Sequence, residues 1–241
     1  MTKNMESISL VLPFYNEAPN AEAVLNEATR VLDGLAGNYE IIAVNDGSAD
    51  GTACVLCKLA EKDPRIRPVH HQNNLGYGQA LRSGINAAKG DWLLFCDGDG
   101  QFFLEELGLL LQRLPDYPVV LGFRIDRQDP LFRKLNSYIY NQASRLLLCA
   151  RVRDINCAMK GFHRSVFKDL RFRAAGQTIY LDILSQLFAK GTPFTELGVR
   201  HRPRAAGAPT GARPGVIFKA MKEYLAIFAG ELPRVIARSF K

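Results

Sequence analysis

The stretch Leu93-Leu94-Phe95-Cys96-Asp97-Gly98-Asp99-Gly100-Gln101 opens as an apolar run and closes as an acidic cluster. The run reads as a buried strand. In extended chain alternate side chains share a face, so Asp97, Asp99 and Gln101 are placed to converge on one point. Oxygen ligands clustered this way suit a hard divalent cation, Mg²⁺ or Mn²⁺, that also binds phosphate. An acidic turn has the same composition, because Asp and Gly are common turn formers. The neighbouring segments decide between the two.

Working outward, apolar runs alternate with helical periodicity. Strands are expected at Ile8–Leu12, Glu40–Val44, Ile66–His70, Trp92–Cys96 and Val119–Gly122, with helices at Ala21–Leu35, Ala53–Lys62, Gln79–Ala88 and Phe102–Leu114. That alternation implies parallel βαβ units with right-handed crossovers. The polar residues gather where the strands end: Pro13 to Glu17, Asp46, Gly76, and Asp97 to Gln101. In open α/β sheets, ligands bind outside those ends. Four loops therefore point at one crevice.

The second half is less regular. Leu131–Leu148 and Ile179–Lys190 read as helices, Asp154–Phe167 as a turn and short strand, and Pro193–His201 as a strand. Arg202–Gly215 reads as a loop, and Lys219–Phe240 as a basic amphipathic helix bent near Pro233.

Composition bounds the function. With 241 residues, 47% hydrophobic and 23% charged, the chain is one sizeable domain, with or without an appendage. A net charge of +7 favours an anionic partner. There is no aromatic-interleaved RNA motif and no zinc-finger spacing, so nucleic acid is set aside. Five cysteines outside any disulfide framework fit a reducing compartment. Cys54 and Cys57 share one helix face and are expected to be buried. Met1 to Ser7 is polar, and no stretch approaches membrane-spanning length. The expectation is a cytoplasmic protein, peripheral on the inner face of the membrane.

Taken together, Val11-Leu12-Pro13-Phe14-Tyr15-Asn16-Glu17, Val44 to Thr52, Asn74 to Ala80 and Asp97 to Gln101 resemble the ordered motifs of the family 2 glycosyltransferases. The closest likeness is to the dolichol-phosphate mannose synthase and polyprenyl-phosphate glycosyltransferase branch. The resemblance implies a GT-A fold: an α/β, Rossmann-like, mixed but mainly parallel sheet. It implies a GT-A domain over residues 1–215, with a nucleotide-sugar half at 1–124 and an acceptor half at 125–215. An amphipathic helix at 216–241 follows.

By resemblance, Pro13, Tyr15, Asn16 and Glu17 line the nucleotide pocket with Gly76, and Asp46 meets the base of a UDP- or GDP-sugar. Asp97 lies near ribose and metal, while Asp99 and Gln101 are the direct metal ligands. Arg124 matches the family's G-x-R, and Arg204 its H-x-x-R-x-x-G loop. Arg133 and Ser137, at i and i+4, face the phosphate of a polyprenyl acceptor. Such an acceptor arrives anionic and needs no base. A saccharide or protein hydroxyl needs one, and Asp154 and Asp182 are then the candidates. Other readings are a non-catalytic nucleotide-sugar binder and a nucleotidyltransferase. The latter lacks a glycine-rich loop at Pro13–Glu17. The last helix suits a membrane surface, with docking on the core or a homodimer contact as the alternatives.

Overall fold

The computed structural model describes residues 7–125, 131–148, 150–204 and 214–239. The side chain of Arg133 and most of the loop after Arg204 lie outside the described residues. In chain order the elements are β1 (Ile8–Phe14), α1 (Ala18–Leu35), β2 (Tyr39–Asn45), α2 (Thr52–Lys62), β3 (Ile66–His70), α3 (Tyr77–Ala87) and β4 (Trp92–Phe95). There follow α4 (Leu107–Arg113), β5 (Val119–Ile125), α5 (Leu131–Leu148), β6 (Lys160–His163), α6 (Ile179–Ala189), β7 (Phe194–Arg200) and α7 (Pro214–Ser239).

The strands form one seven-stranded sheet in the order β3-β2-β1-β4-β6-β5-β7. The β1–β2, β1–β4, β2–β3 and β5–β7 pairs are parallel, and β6 is antiparallel to β4 and β5. Period-two alternation sends successive residues to opposite layers. Leu10, Leu12, Ile41 and Leu94 pack under α1, α2 and α4. Val11, Ile42, Leu93 and Phe95 pack under α3, α5, α6 and Ile227 of α7. α1 buries Ala21, Val24, Leu25, Ala28, Val31 and Leu32, a stripe at helical spacing that faces the sheet.

The chain runs from β1 outward to β3 and then returns to β4 on the other side of β1. That reversal opens the crevice in which α/β sheets bind ligands. β1 runs through Pro13 to Phe14, two residues beyond the expected apolar run. The ladder to β4 ends at Val11↔Phe95, so the missing N–H of Pro13 has no partner to deprive. Antiparallel β6 starts at the margin where β4 and β5 finish. Its leading segment, Asp154 to Ala158, thereby joins the same margin.

Several expectations are corrected. Phe102–Leu114 divides into a bridge from Phe102 to His201, a 3₁₀ turn at Leu104–Glu106, and α4. The last helix begins at Pro214, five residues earlier than read; proline is well suited to a first helical position, where no N–H bond is required. Cys54 and Cys57 are exposed, because α2 turns Thr52, Leu56 and Leu59 to the core instead. No helix among the described residues is long and apolar enough to cross a membrane.

Candidate functional site

The loops after β1, β2 and β4 are stitched together at the sheet's C-terminal margin. Asn16 adopts φ 54, which turns the chain sharply after β1. Its N–H donates to Ser48 Oγ (2.9 Å), and its Oδ1 accepts from Ala49 N (2.9 Å). Glu17 N donates to Thr52 Oγ1 (3.0 Å). The carbonyl of buried Pro13 accepts Gly98 N (3.2 Å), tying β1 to the acidic loop. Tyr15 is half-buried on the same loop.

Asp46 is only 3% exposed, and four donors of the chain itself surround its carboxylate. These are His71 Nδ1 (2.7 Å), Asn74 Nδ2 (3.0 Å), Leu75 N (2.9 Å) and Gly76 N (2.9 Å). His71 Nε2 in turn meets Ser83 Oγ (2.8 Å) on α3. Asp46 therefore holds the 74–76 loop, and in this arrangement its oxygens are turned to that loop. At the start of α2 it is Asp50 that accepts from Thr52 N (3.0 Å).

The acidic cluster occupies the crevice between β1 and β4. Asp97 Oδ1 accepts a hydrogen bond from Tyr77 Oη (2.7 Å), and Tyr77 Oη meets Tyr180 Oη at 3.3 Å. Burial first, and the Asp99 charge second, push the Asp97 carboxyl up to about 7. Asp99 Oδ2 accepts from Arg204 Nη2 (2.8 Å), and Arg204 Nη1 donates to Glu17 Oε1 (2.5 Å). One guanidinium thus joins the first motif to the fourth across the crevice. Gln101 Nε2 donates to the Arg202 carbonyl (3.2 Å), and its N–H to Asp99 Oδ1 (3.1 Å).

A buried carboxylate whose proton affinity is raised beside a second carboxylate is the donor chemistry a divalent cation relieves. Among the described residues no cluster of three or more His, Cys, Asp or Glu forms a ready cage. Asp97 and Asp99 therefore fit an ion that brings most of its ligands as phosphate and water, as Mg²⁺ commonly does.

On the acceptor side, Arg124 grips Asp154 in a fork, Nε to Oδ2 at 2.7 Å and Nη2 to Oδ1 at 3.1 Å. Asp154, the expected base for a hydroxyl acceptor, is thus the partner of the expected phosphate ligand. Asp182, the other candidate, is wholly buried and accepts from Arg173 N, Arg173 Nε and Ala174 N. It is a structural anchor. Ser137 lies half-buried one turn before Asn141, whose Oδ1 accepts Ile155 N (3.1 Å) beside Asp154.

Tyr77 and Lys160 escaped the sequence reading. Tyr77 stood inside a quoted motif without a role; a hydroxyl flanked by two glycines was its only signal. Lys160 has no exposed surface, sits 4.2 Å from the Tyr180 ring centroid and donates to the Cys157 carbonyl. Burial lowers its ammonium from the ordinary value. A lone lysine in the apolar run Met159 to Phe162 was the available sign.

A family model described as glycosyl transferase family 2 matches residues 9–171, more than half of the chain. The chain belongs to glycosyl transferase family 2. The undecaprenyl-phosphate 4-deoxy-4-formamido-L-arabinose transferase of Aeromonas hydrophila subsp. hydrophila is 32% identical over 206 residues, covering 85% of this chain and 62% of that protein. Its counterpart from Edwardsiella ictaluri is 32% identical over 208 residues, covering 85% and 63%. This glycosyltransferase therefore spans about 62% of the length of the first of these relatives.

Glucosyl-3-phosphoglycerate synthase from Mycobacterium tuberculosis has the same fold. Its complex with phosphoglyceric acid superposes with a TM-score of 0.74 at 21% identity, covering 93% of this chain and 80% of that one. The complex with Mn²⁺, uridine-diphosphate-glucose and phosphoglyceric acid gives 0.73 at 20% identity, with the same coverage. The architecture of this glycosyltransferase is accordingly GT-A, as the motifs implied.

Proposed function

We propose that this glycosyltransferase moves a sugar from a UDP- or GDP-sugar to a polyprenyl phosphate, with inversion, using Mg²⁺ or Mn²⁺. One observation carries the reading. Arg204 is bonded at once to Glu17 and Asp99, so three segments distant in sequence meet at one acidic spot beside the β1/β4 crevice. The relatives named for an undecaprenyl-phosphate acceptor support the lipid. The neighbour solved with Mn²⁺ and a uridine diphosphate sugar supports the donor.

A divalent ion held by Asp97 and Asp99 would neutralise the diphosphate as it leaves. The chain does the rest. Pro13, Tyr15 and the 74–76 loop held by Asp46 shape the nucleotide side, and Tyr77 fixes the rotamer of Asp97. Arg204 stands ready to exchange its carboxylate partners for phosphate oxygens, and Gln101 holds the Arg202 end of that loop. Arg124, with Arg133 and Ser137, receives the acceptor phosphate. Both carboxylates offered as bases are paired with arginines, which favours an acceptor that is already anionic over a hydroxyl.

The acceptor is a lipid, and an outward apolar face is available to reach one. Phe218, Met221 and Leu225 on α7 and Tyr138 and Ile139 on α5 are each more than half exposed. Lys222 flanks them, with its Nζ 4.7 Å from the Phe218 ring centroid. A basic amphipathic surface of this kind fits an anionic bilayer. Wild-type protein should co-sediment with phosphatidylglycerol vesicles, and the Phe218→Ser/Met221→Ser/Leu225→Ser variant should remain in the supernatant. Equal sedimentation of both would assign the face to a second subunit instead.

The function itself is tested by incubating the protein with undecaprenyl phosphate, Mn²⁺ and a panel of radiolabelled UDP- and GDP-sugars. The expected product is an organic-extractable, acid-labile glycolipid. Label appearing only on a soluble saccharide or on protein would overturn the acceptor assignment.

A further inference from the structure

Residues 75–79, the end of the loop before α3 and the first turn of α3 itself, carry Tyr77 and rest on the segment Ala175 to Thr178, and α7 grips that segment from behind. Glu223 Oε1 accepts from Ala175 N (3.1 Å) and Gly176 N (3.0 Å), and its Oε2 accepts from Thr178 Oγ1 (2.5 Å). Two turns on, Glu231 accepts from Arg173 Nη2 (3.1 Å). The segment then meets the first turn of α3 directly, because Ala175 O accepts Gln79 N (3.2 Å).

Only glycines allow that approach. A Cβ on Gly76 would lie 2.8 Å from Ala175 O, and one on Gly78 would lie 2.7 Å from Ala175 C. Gly76 also has φ 100, a conformation that side chains disfavour. Between these two glycines stands Tyr77, whose hydroxyl holds Asp97. The second tyrosine of the pair, Tyr180, lies two residues beyond Thr178 on α6, its ring centroid 6.1 Å from that of Tyr77. Both tyrosines are therefore placed by the one segment that Glu223 holds.

We propose that Glu223 is a positioning residue for the donor site. It acts through Ala175–Thr178 on Gly76–Gln79, and so on Tyr77 and Asp97. On this account α7 is a strut of the active site, and not an appended helix that merely covers core. The consequence for donor binding rests on the function proposed above; the mechanical coupling does not.

The test uses the full chain. Amide hydrogen exchange and UDP affinity in the presence of Mn²⁺ are compared for wild type, Glu223→Ala, Glu223→Gln and Thr178→Val. In Glu223→Ala, exchange at residues 75–79 should rise and UDP affinity fall, each by about tenfold, the loss of charge-assisted bonds to a locally opening segment. Glu223→Gln keeps an oxygen for the two backbone donors and should stay within about threefold of wild type. Thr178→Val, which loses only the hydroxyl contact, should fall between them and keeps the test open if the alanine variant does not fold.

Faster exchange at 175–178 alone, with 75–79 and UDP affinity unchanged, would overturn the proposal and leave Glu223 a purely structural tie. Wild-type protein that binds no nucleotide would count against the proposed function, while exchange at 75–79 would still decide the coupling.

Discussion

Asp99→Asn lowers kcat by about 10³-fold, with little change in melting temperature. The Asp99 side chain is 13% exposed and accepts from Arg204 and from the Gln101 amide, and the isosteric amide keeps its shape and an oxygen for those donors, which leaves the fold intact. What it removes is charge. The asparagine no longer opposes Arg204, and it offers a divalent ion one neutral oxygen in place of a carboxylate. The loss should therefore appear in kcat and in the Mn²⁺ concentration needed for half-activation, with the acceptor KM unmoved. A steady-state Mn²⁺ titration at saturating donor checks this. Wild-type turnover by Asp99→Asn would remove Asp99 from the metal site, whereas a wild type without turnover whose Asp99→Asn variant still functions in vivo would favour the non-catalytic nucleotide-sugar binder.

Arg204→Ala produces the second large effect, about a 10²-fold loss of kcat/KM for the donor. The guanidinium bridges Glu17 and Asp99, and Glu17 is only 7% exposed. Its removal leaves two carboxylates facing each other across the crevice and nothing to meet an incoming diphosphate. Arg204→Lys should recover part of the loss, because an ammonium reaches one carboxylate at a time where the planar fork reaches two. Donor and acceptor KM values measured separately locate the effect. An increase confined to the acceptor KM would move Arg204 to the other half of the site.

The legible parts of this protein were those in which one residue pattern has one physical solution. Leu10 to Leu12, Ile41 to Val44 and Leu93 to Phe95 are short apolar runs between turn signals, and a sheet buried on both faces is the way to cover them. The crevice followed from where Asp97, Asp46 and Glu17 stand relative to those runs. What escaped the reading depended on contacts distant in sequence. Asp154 and Arg124 are 30 residues apart, and Arg204 and Asp99 105. Nothing local distinguishes a carboxylate that will serve as a base from one that an arginine will hold. Cys54 and Cys57 were misplaced because their spacing defines a helix face without saying which way it turns. Glu223 carried no signal of its own within the last helix; its role became visible only with Ala175 and Gly176 against it.

The central claim is that Asp97 and Asp99 hold a divalent ion together with a nucleoside diphosphate. The most direct measurement is the electron paramagnetic resonance signal of free Mn²⁺ during titration into the protein with UDP or GDP present. The account predicts that wild-type protein and nucleotide together deplete free Mn²⁺ at least tenfold more tightly than nucleotide alone, and that Asp99→Ala abolishes the gain. Equal uptake by wild type and variant, or nucleotide binding indifferent to EDTA, would contradict it.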